Sequence, residues 1–296
     1  MQSLKGIFSF LASCIRYINT YFKTFVFLFI VLLILMPSNK SNLNPANLTR
    51  LDLKGAIIDS SVLVENIYKA KNDNNIKGVL LVIDSPGGAF GPSMEIALAI
   101  EELSKVKKVV AYTNGTMASG SYLGGVSANK ILANPASFIG SIGVIMQGAD
   151  ISELANKIGI KEQSIQAGTF KSAGTITRPW KDEEKAYLQD LINQSYELFT
   201  DFVANKRKLN KENKQIWADA RVFLASRAKE LGLIDDLTSY EMAKKQLQDL
   251  ANVVNPIWQE ESKFEKFLNK ISEQSVSLFS DFIFKTLINS NREVVF

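Results

Sequence analysis

Residues 78–84 read GVLLVID, and so long a run of apolar, β-branched positions is stable only as a strand covered on both faces of a sheet. Met94–Leu103 follows with Ile96, Ala97, Ile100 and Leu103 on one helical face, the mark of a helix laid against that sheet. Lys108–Tyr112 is a second buried strand, then comes a Gly/Ser-rich turn and a helix from Ser119. Lys130–Ala133, Ile142–Met146 and Glu162–Gln166 are further strand candidates, and Ile151–Ile158 a short helix. Lys181–Arg207 is a long one, with Tyr187, Leu188, Leu191, Tyr196, Phe199 and Phe202 at helical spacing. Alternating strands and helices predict an α/β fold with a mainly parallel sheet. The 296 residues, 46 % of them hydrophobic, suffice for a large core.

Two scarcities narrow the chemistry. The chain has no histidine, which excludes a Ser–His–Asp triad, His-ligated metal and a histidine base. Its one cysteine is Cys14, so an intramolecular disulfide is excluded and a cysteine nucleophile or thiolate metal site is not expected. Hydrolysis must rely on Ser, Thr, Lys, Tyr or carboxylates. The net charge of +4 and the lack of a basic stripe interleaved with aromatics give no reason to expect nucleic acid. No cofactor motif is present: neither GxxxxGKS/T nor GxGxxG occurs.

The N-terminus divides differently. Phe25–Met36 is an unbroken apolar run, and read from Tyr17 to Pro37 the segment has 21 residues, enough to cross a bilayer. No small-x-small cleavage site follows Met36, which favours an uncleaved anchor over a removed signal peptide. Lys5, Arg16 and Lys23 before the run balance Lys40, Arg50 and Lys54 after it, so charge does not set the orientation. The expected organisation is an N-terminal segment over 1–16 and an anchor over 17–37. A linker over 38–48, a catalytic domain over 49–250 and a C-terminal helical appendage over 251–296 complete it. Phe264, Phe267, Leu268, Ile271, Leu278, Phe279 and Phe282 form the apolar stripe of that appendage.

Three glycine-rich turns stand at the ends of expected strands: DSPGG at 84–88, NGTMASGS at 114–121 and GSIGV at 140–144. In open α/β sheets ligands bind beyond the carboxyl ends of the strands, where exposed N–H groups suit a phosphate or the oxyanion of a tetrahedral intermediate. Ser119, at the start of a helix, reads equally as an N-cap. Lys171, within AGTFKSAG, reads equally as a surface lysine. A lysine serves as a base only where its surroundings favour the neutral amine, and these neighbours carry no acid.

Taken in order, DSPGG, MASGSY, NPxSxxGSIGV and GxFKSAGxxxR resemble the signal peptide peptidase A family of bacterial serine proteases, over about Leu51 to Asp235. ARVFLASRAKELGLID at 220–235 resembles that family's segment ending in GLVD. The resemblance implies a Clp protease/crotonase-like fold, a repeated ββα spiral with a mainly parallel sheet behind one N-terminal transmembrane helix. It implies Ser119 as nucleophile, Lys171 as general base and Ser141 as the hydroxyl holding the lysine amine. Gly87 or Gly88, with the N–H of Gly120, would form the oxyanion hole, and no metal or cofactor is needed. It further implies a single-pass protein of the cytoplasmic membrane with its protease domain on the extracytoplasmic side. The partners implied are extended hydrophobic peptides such as remnant signal peptides, the membrane, and other copies in a homo-oligomeric ring. Ile139 and Leu224-Ala225 depart from the family pattern, where Thr and Thr-Gly are usual.

Three other readings compete. A quality-control protease for membrane proteins would use the same residues. A crotonase-type acyl-CoA enzyme would need an acid near the oxyanion turn, and 114–125 contains none. A silent membrane scaffold would require Ser119 or Lys171 to be misplaced.

Overall fold

The computed structural model describes residues 2–35 and 45–259, with side chains from 16 to 32 in the first stretch. The chain separates into two units, Met1–Pro45 and Ala46–Phe296. The first contains helix α1, Gln2–Leu35, whose described side chains, Phe22, Phe25, Phe27 and Phe29 among them, are exposed apart from the half-buried Val31. Among the described residues no helix is long and apolar enough to cross a membrane. The expected anchor, 17–37, runs past the last described side chain and so lies partly outside the described residues.

The second unit is an α/β body. Its elements in chain order are β1 (Leu48–Lys54), α2 (Ser61–Asn72), β2 (Gly78–Ser85), α3 (Phe90–Val106), β3 (Lys108–Ala118), α4 (Gly120–Gly125), β4 (Lys130–Ala133) and β5 (Phe138–Gly140). There follow α5 (Ser152–Lys157), α6 (Asp182–Arg207), α7 (Lys214–Trp217), β6 (Val222–Leu224), α8 (Ala225–Glu230), β7 (Asp236–Leu237) and α9 (Tyr240–Leu250). The strands run in the order β1-β2-β3-β4-β7, with β5 on β3 and β6 on β5. All these pairings are parallel except β5–β6.

Alternation in β2 explains the two-sided burial. Val79, Leu81 and Ile83 join one core with Ile96, Ala97, Ile100 and Leu103 of α3 and with Phe199 and Val203 of α6. Leu80 and Val82 face the other way and pack with Tyr112, Ala243 and Leu247. The predicted mainly parallel α/β architecture and the buried face of α3 are therefore as read.

Strand β3 is longer than expected and forks. Val110–Thr113 pairs with β4, while Thr116–Ala118 pairs with β5. The fork carries the chain past the polar TNGT sequence and brings the tip of β3 beside the tip of β5. Three expectations are corrected. The strand lies at Phe138–Gly140 rather than Ile142–Met146. At Ser141 the backbone turns to φ 49°, Ser141 N–H donates to Arg221 C=O (2.7 Å) and Ala220 N–H donates to Ile142 C=O (3.1 Å), which takes the chain out of the sheet. Glu162–Gln166 forms no strand; its residues are exposed and unladdered. Residues 251–259, expected to begin the helical appendage, instead close onto the body: Leu48 bridges Trp258 and Gln259 N–H donates to Leu48 C=O (2.8 Å). The apolar stripe from Phe264 onward lies outside the described residues.

Candidate active site

Ser119 stands at the junction of β3 and α4 with φ 52° and ψ −125°. Such a conformation in a non-glycine residue costs about 1–3 kcal/mol and persists only where surrounding contacts impose it. Here they do: Ser119 N–H donates to Gly140 C=O (2.7 Å), and its own carbonyl accepts from Leu123 N–H (3.1 Å). Its side chain makes no capping bond to α4. The N-cap reading therefore gives way to a sharp strand-to-helix turn that presents a hydroxyl, as nucleophile turns do. Register places Ser141 beside it, because Ala118 pairs with Gly140 and both serines follow their strands directly.

Ile57 distinguishes Gly87 from Gly88. Ile57 N–H donates to Gly87 C=O (2.9 Å) and Ile57 C=O accepts from Ala89 N–H (2.8 Å). A parallel bridge of this kind turns the N–H of the middle residue, Gly88, to the opposite side. Gly87 N–H is already engaged with Ser85 Oγ (3.1 Å). Gly88 N lies 3.3 Å from where a Cβ on Gly120 would stand, so its free N–H flanks the Ser119–Gly120 peptide. Gly87, at φ 95°, tolerates no side chain either, since a Cβ there would stand 2.6 Å from Gly120 N. Of the two turn glycines, Gly88 is thus the one whose N–H is turned away from the bridge and towards the Ser119 turn.

Lys171 makes no such contact. It is exposed, in a turn-rich stretch where its N–H donates to Gly168 C=O (3.2 Å). Among the described residues no hydrogen bond joins its amine to Ser119 or Ser141, and no carboxylate engages it. The structure thus brings together Ser119, Ser141, Gly87, Gly88 and Gly120 but does not bring Lys171 to them.

What the structure adds is how that turn is held. Phe170 stacks on Tyr187 of α6 (4.7 Å, 24°). Arg178 grips Glu184 with two bonds (2.7 and 2.8 Å) and donates to Ser172 Oγ (3.0 Å). Glu184 also accepts Lys181 N–H (2.9 Å) at the start of α6. The Arg178 guanidinium, with the Lys181 amide second, lowers the Glu184 carboxyl from 4.5 to about 2. Neither role is readable from sequence, although Arg178 closes the GxFKSAGxxxR motif.

A pH dependence follows. Because the folded carboxyl titrates below its unfolded counterpart, its stabilisation is complete above 4.5 and lost as pH falls towards 2. Thermal unfolding across that window should show a steeper acid decline in the native protein than in Glu184→Gln. Equal slopes would remove the pair from the acid response.

The departures from the family pattern are structurally benign. Ile139 is fully buried in the main core, so an apolar residue suits its place. Ala225 is also fully buried, and its N–H donates to Ser137 C=O (3.0 Å), a bond independent of side chain.

Comparison with known proteins gives a consistent result. Residues 101–254, which include Ser119, Ser141 and Lys171, match peptidase family S49. A protein described as a protease from Methanocaldococcus jannaschii is 40 % identical over 198 residues, covering 67 % of this chain and 64 % of that protein. Another described as a protease, from Synechocystis, is 34 % identical over 207 residues, 70 % of this chain and 75 % of its own length. The chloroplastic serine protease SPPA of Arabidopsis thaliana is 30 % identical over 204 residues, 69 % of this chain but 30 % of that protein. The chain thus matches 64 % of the first relative's length and a smaller share of the plant enzyme.

Proposed function

The chain belongs to peptidase family S49, a serine peptidase family, and we propose that it is an endopeptidase in which Ser119 attacks and Lys171 is the general base. The observation that carries this reading is the forced conformation of Ser119 at the strand-to-helix turn, packed against the DSPGG turn. The neutral Lys171 amine takes the Ser119 proton as the hydroxyl oxygen bonds to the scissile carbonyl carbon. The Gly88 and Gly120 amides hold the oxyanion, each worth about 3 kcal/mol in the transition state. The lysine ammonium then protonates the leaving amine, and a water activated by the same amine hydrolyses the acyl-enzyme. The Ser141 hydroxyl orients the amine. No metal or cofactor enters.

The body is anchored by its N-terminal helix, lies outside the cytoplasmic membrane, and works on membrane-derived peptides such as remnant signal peptides. Peptides bind extended, as an added strand. Copies assemble into a ring, and the dyad is completed in the assembled form. In support, the excursion between β5 and α6, which carries Lys171, exposes Ile145, Ile158, Ile160, Ile165 and Phe170, apolar side chains that a neighbouring copy could cover.

Detergent-purified protein with fluorogenic apolar peptides tests the reading. Lys171→Ala should remove the activity. Substantial hydrolysis by Lys171→Ala, or turnover of a CoA thioester instead of peptides, would overturn it.

A further inference from the structure

Ser121 is fully buried and takes no part in the chemistry above, yet its hydroxyl sits where the β2–β3 ladder loses its regular register. The β2–β3 ladder is regular from Gly78–Lys108 to Ile83–Thr113 and then slips, so that Ser85 pairs with Met117. A slip of this kind leaves backbone groups without ladder partners. Side chains fill the gap. The Asp84 carboxylate accepts Thr116 N–H (3.0 Å). Ser121 Oγ accepts Ala118 N–H (2.9 Å) and donates to Ser85 C=O (2.6 Å), with Ala118 C=O also within reach (2.9 Å). The hydroxyl has one proton, and the shorter contact to Ser85 takes it.

Ser85 lies three residues before Gly88, and Ala118 directly precedes Ser119. One buried hydroxyl therefore ties the strand that delivers the first oxyanion amide to the strand that delivers the nucleophile and the second. Ser85 Oγ continues the chain by accepting Gly87 N–H (3.1 Å), and Gly87 packs directly on the Gly120 amide. We propose that Ser121 is a positioning residue whose hydroxyl holds the DSPGG turn against the Ser119 turn, so that the Gly88 and Gly120 amides converge on one oxygen. The proposal rests on the reading of Ser119 as nucleophile.

Removing the hydroxyl takes away the side-chain tie that reinforces the Ser85–Met117 pairing at the end of the ladder, and the two turns are then held less firmly against each other. Because oxyanion donors act on the transition state, Ser121→Ala should lower kcat about 10- to 100-fold while KM stays within about twofold. Affinity for a peptide boronate, which forms a tetrahedral adduct on the nucleophile, should fall by the same factor as kcat. Binding of an uncleaved peptide should be unchanged when Ser121→Ala is added to Ser119→Ala. Ser121→Cys, which retains a weak donor and acceptor, should recover part of the loss. Ser85→Ala should act in the same direction, and the double variant should lose less than the product of the two, since both hydroxyls hold the same turn.

The proposal is overturned if kcat and boronate affinity of Ser121→Ala both stay within about twofold of the native protein, or if the whole loss appears in KM. Where Ser121→Ala does not accumulate folded, Ser121→Cys decides by the same two ratios. A boronate adduct mapped to a residue other than Ser119 would instead show the nucleophile reading to be at fault.

Discussion

Ser119→Ala is expected to lower kcat for peptide hydrolysis by roughly 10⁶-fold, the scale of loss when a serine hydrolase loses its nucleophile. The protein should stay folded, because the strain at φ 52° is borne by the backbone bonds to Gly140 and Leu123, which alanine keeps. KM, or the affinity for uncleaved peptide, should be nearly unchanged, since the hydroxyl makes no bond that positions substrate. Matched thermal unfolding curves with lost turnover are the result expected. Retention of even about one per cent of native activity would point to another nucleophile, being far above that scale.

The second large effect concerns a glycine. A Cβ on Gly88 would stand 2.1 Å from Ile57 O and 2.6 Å from Ile57 N. Both are backbone atoms, so neither can swing aside, and Gly88→Ala must push the turn away from residues 55–58. That movement withdraws the Gly88 amide from the oxyanion. The loss of one such donor costs about 10²- to 10³-fold in kcat. Gly91→Ala is the natural control, because a Cβ there meets nothing within 4 Å. Steady-state kinetics on both variants should show the loss confined to Gly88→Ala. A Gly88→Ala protein with native kcat would remove that amide from the mechanism.

The comparison of these two residues shows what the sequence could disclose. Ser119 and the glycine turns are legible because strand-end turns carry their chemistry in local sequence. The assignment to Gly88 over Gly87 is not, because it depends on Ile57, thirty-one positions upstream, and on which edge of a single bridge it takes. The length of β3 escapes a local reading for a similar reason. NGT at 114–116 looks like a turn, yet the Asp84 carboxylate accepts Thr116 N–H and Gly115 leaves room for it, since a Cβ there would meet Asp84 Oδ1 at 2.3 Å. Buried apolar runs, by contrast, name their own surroundings. Gly78–Ser85 and α3 lie where their patterns place them, because hydrophobic periodicity is a property of the segment itself.

Lys171 marks the boundary of that legibility. Its motif is strong, but the excursion that carries it packs on the body through Arg178, Glu184 and the Phe170–Tyr187 stack rather than through the lysine. The amine itself remains exposed. Nothing in the local sequence dictates where an exposed, turn-rich segment rests. Under the proposed function, contacts between copies in the ring supply what a single copy lacks.

Activation of Ser119 by the Lys171 amine is therefore the claim on which the rest depends. Its most direct measurement is the rate at which a fluorophosphonate probe modifies the assembled, detergent-purified protein, with the site mapped by mass spectrometry. A single adduct on Ser119 is predicted, with labelling at least about 10³-fold slower in Lys171→Ala, in line with the loss of an activating base. An adduct on another residue, or equal rates in the two proteins, would contradict it.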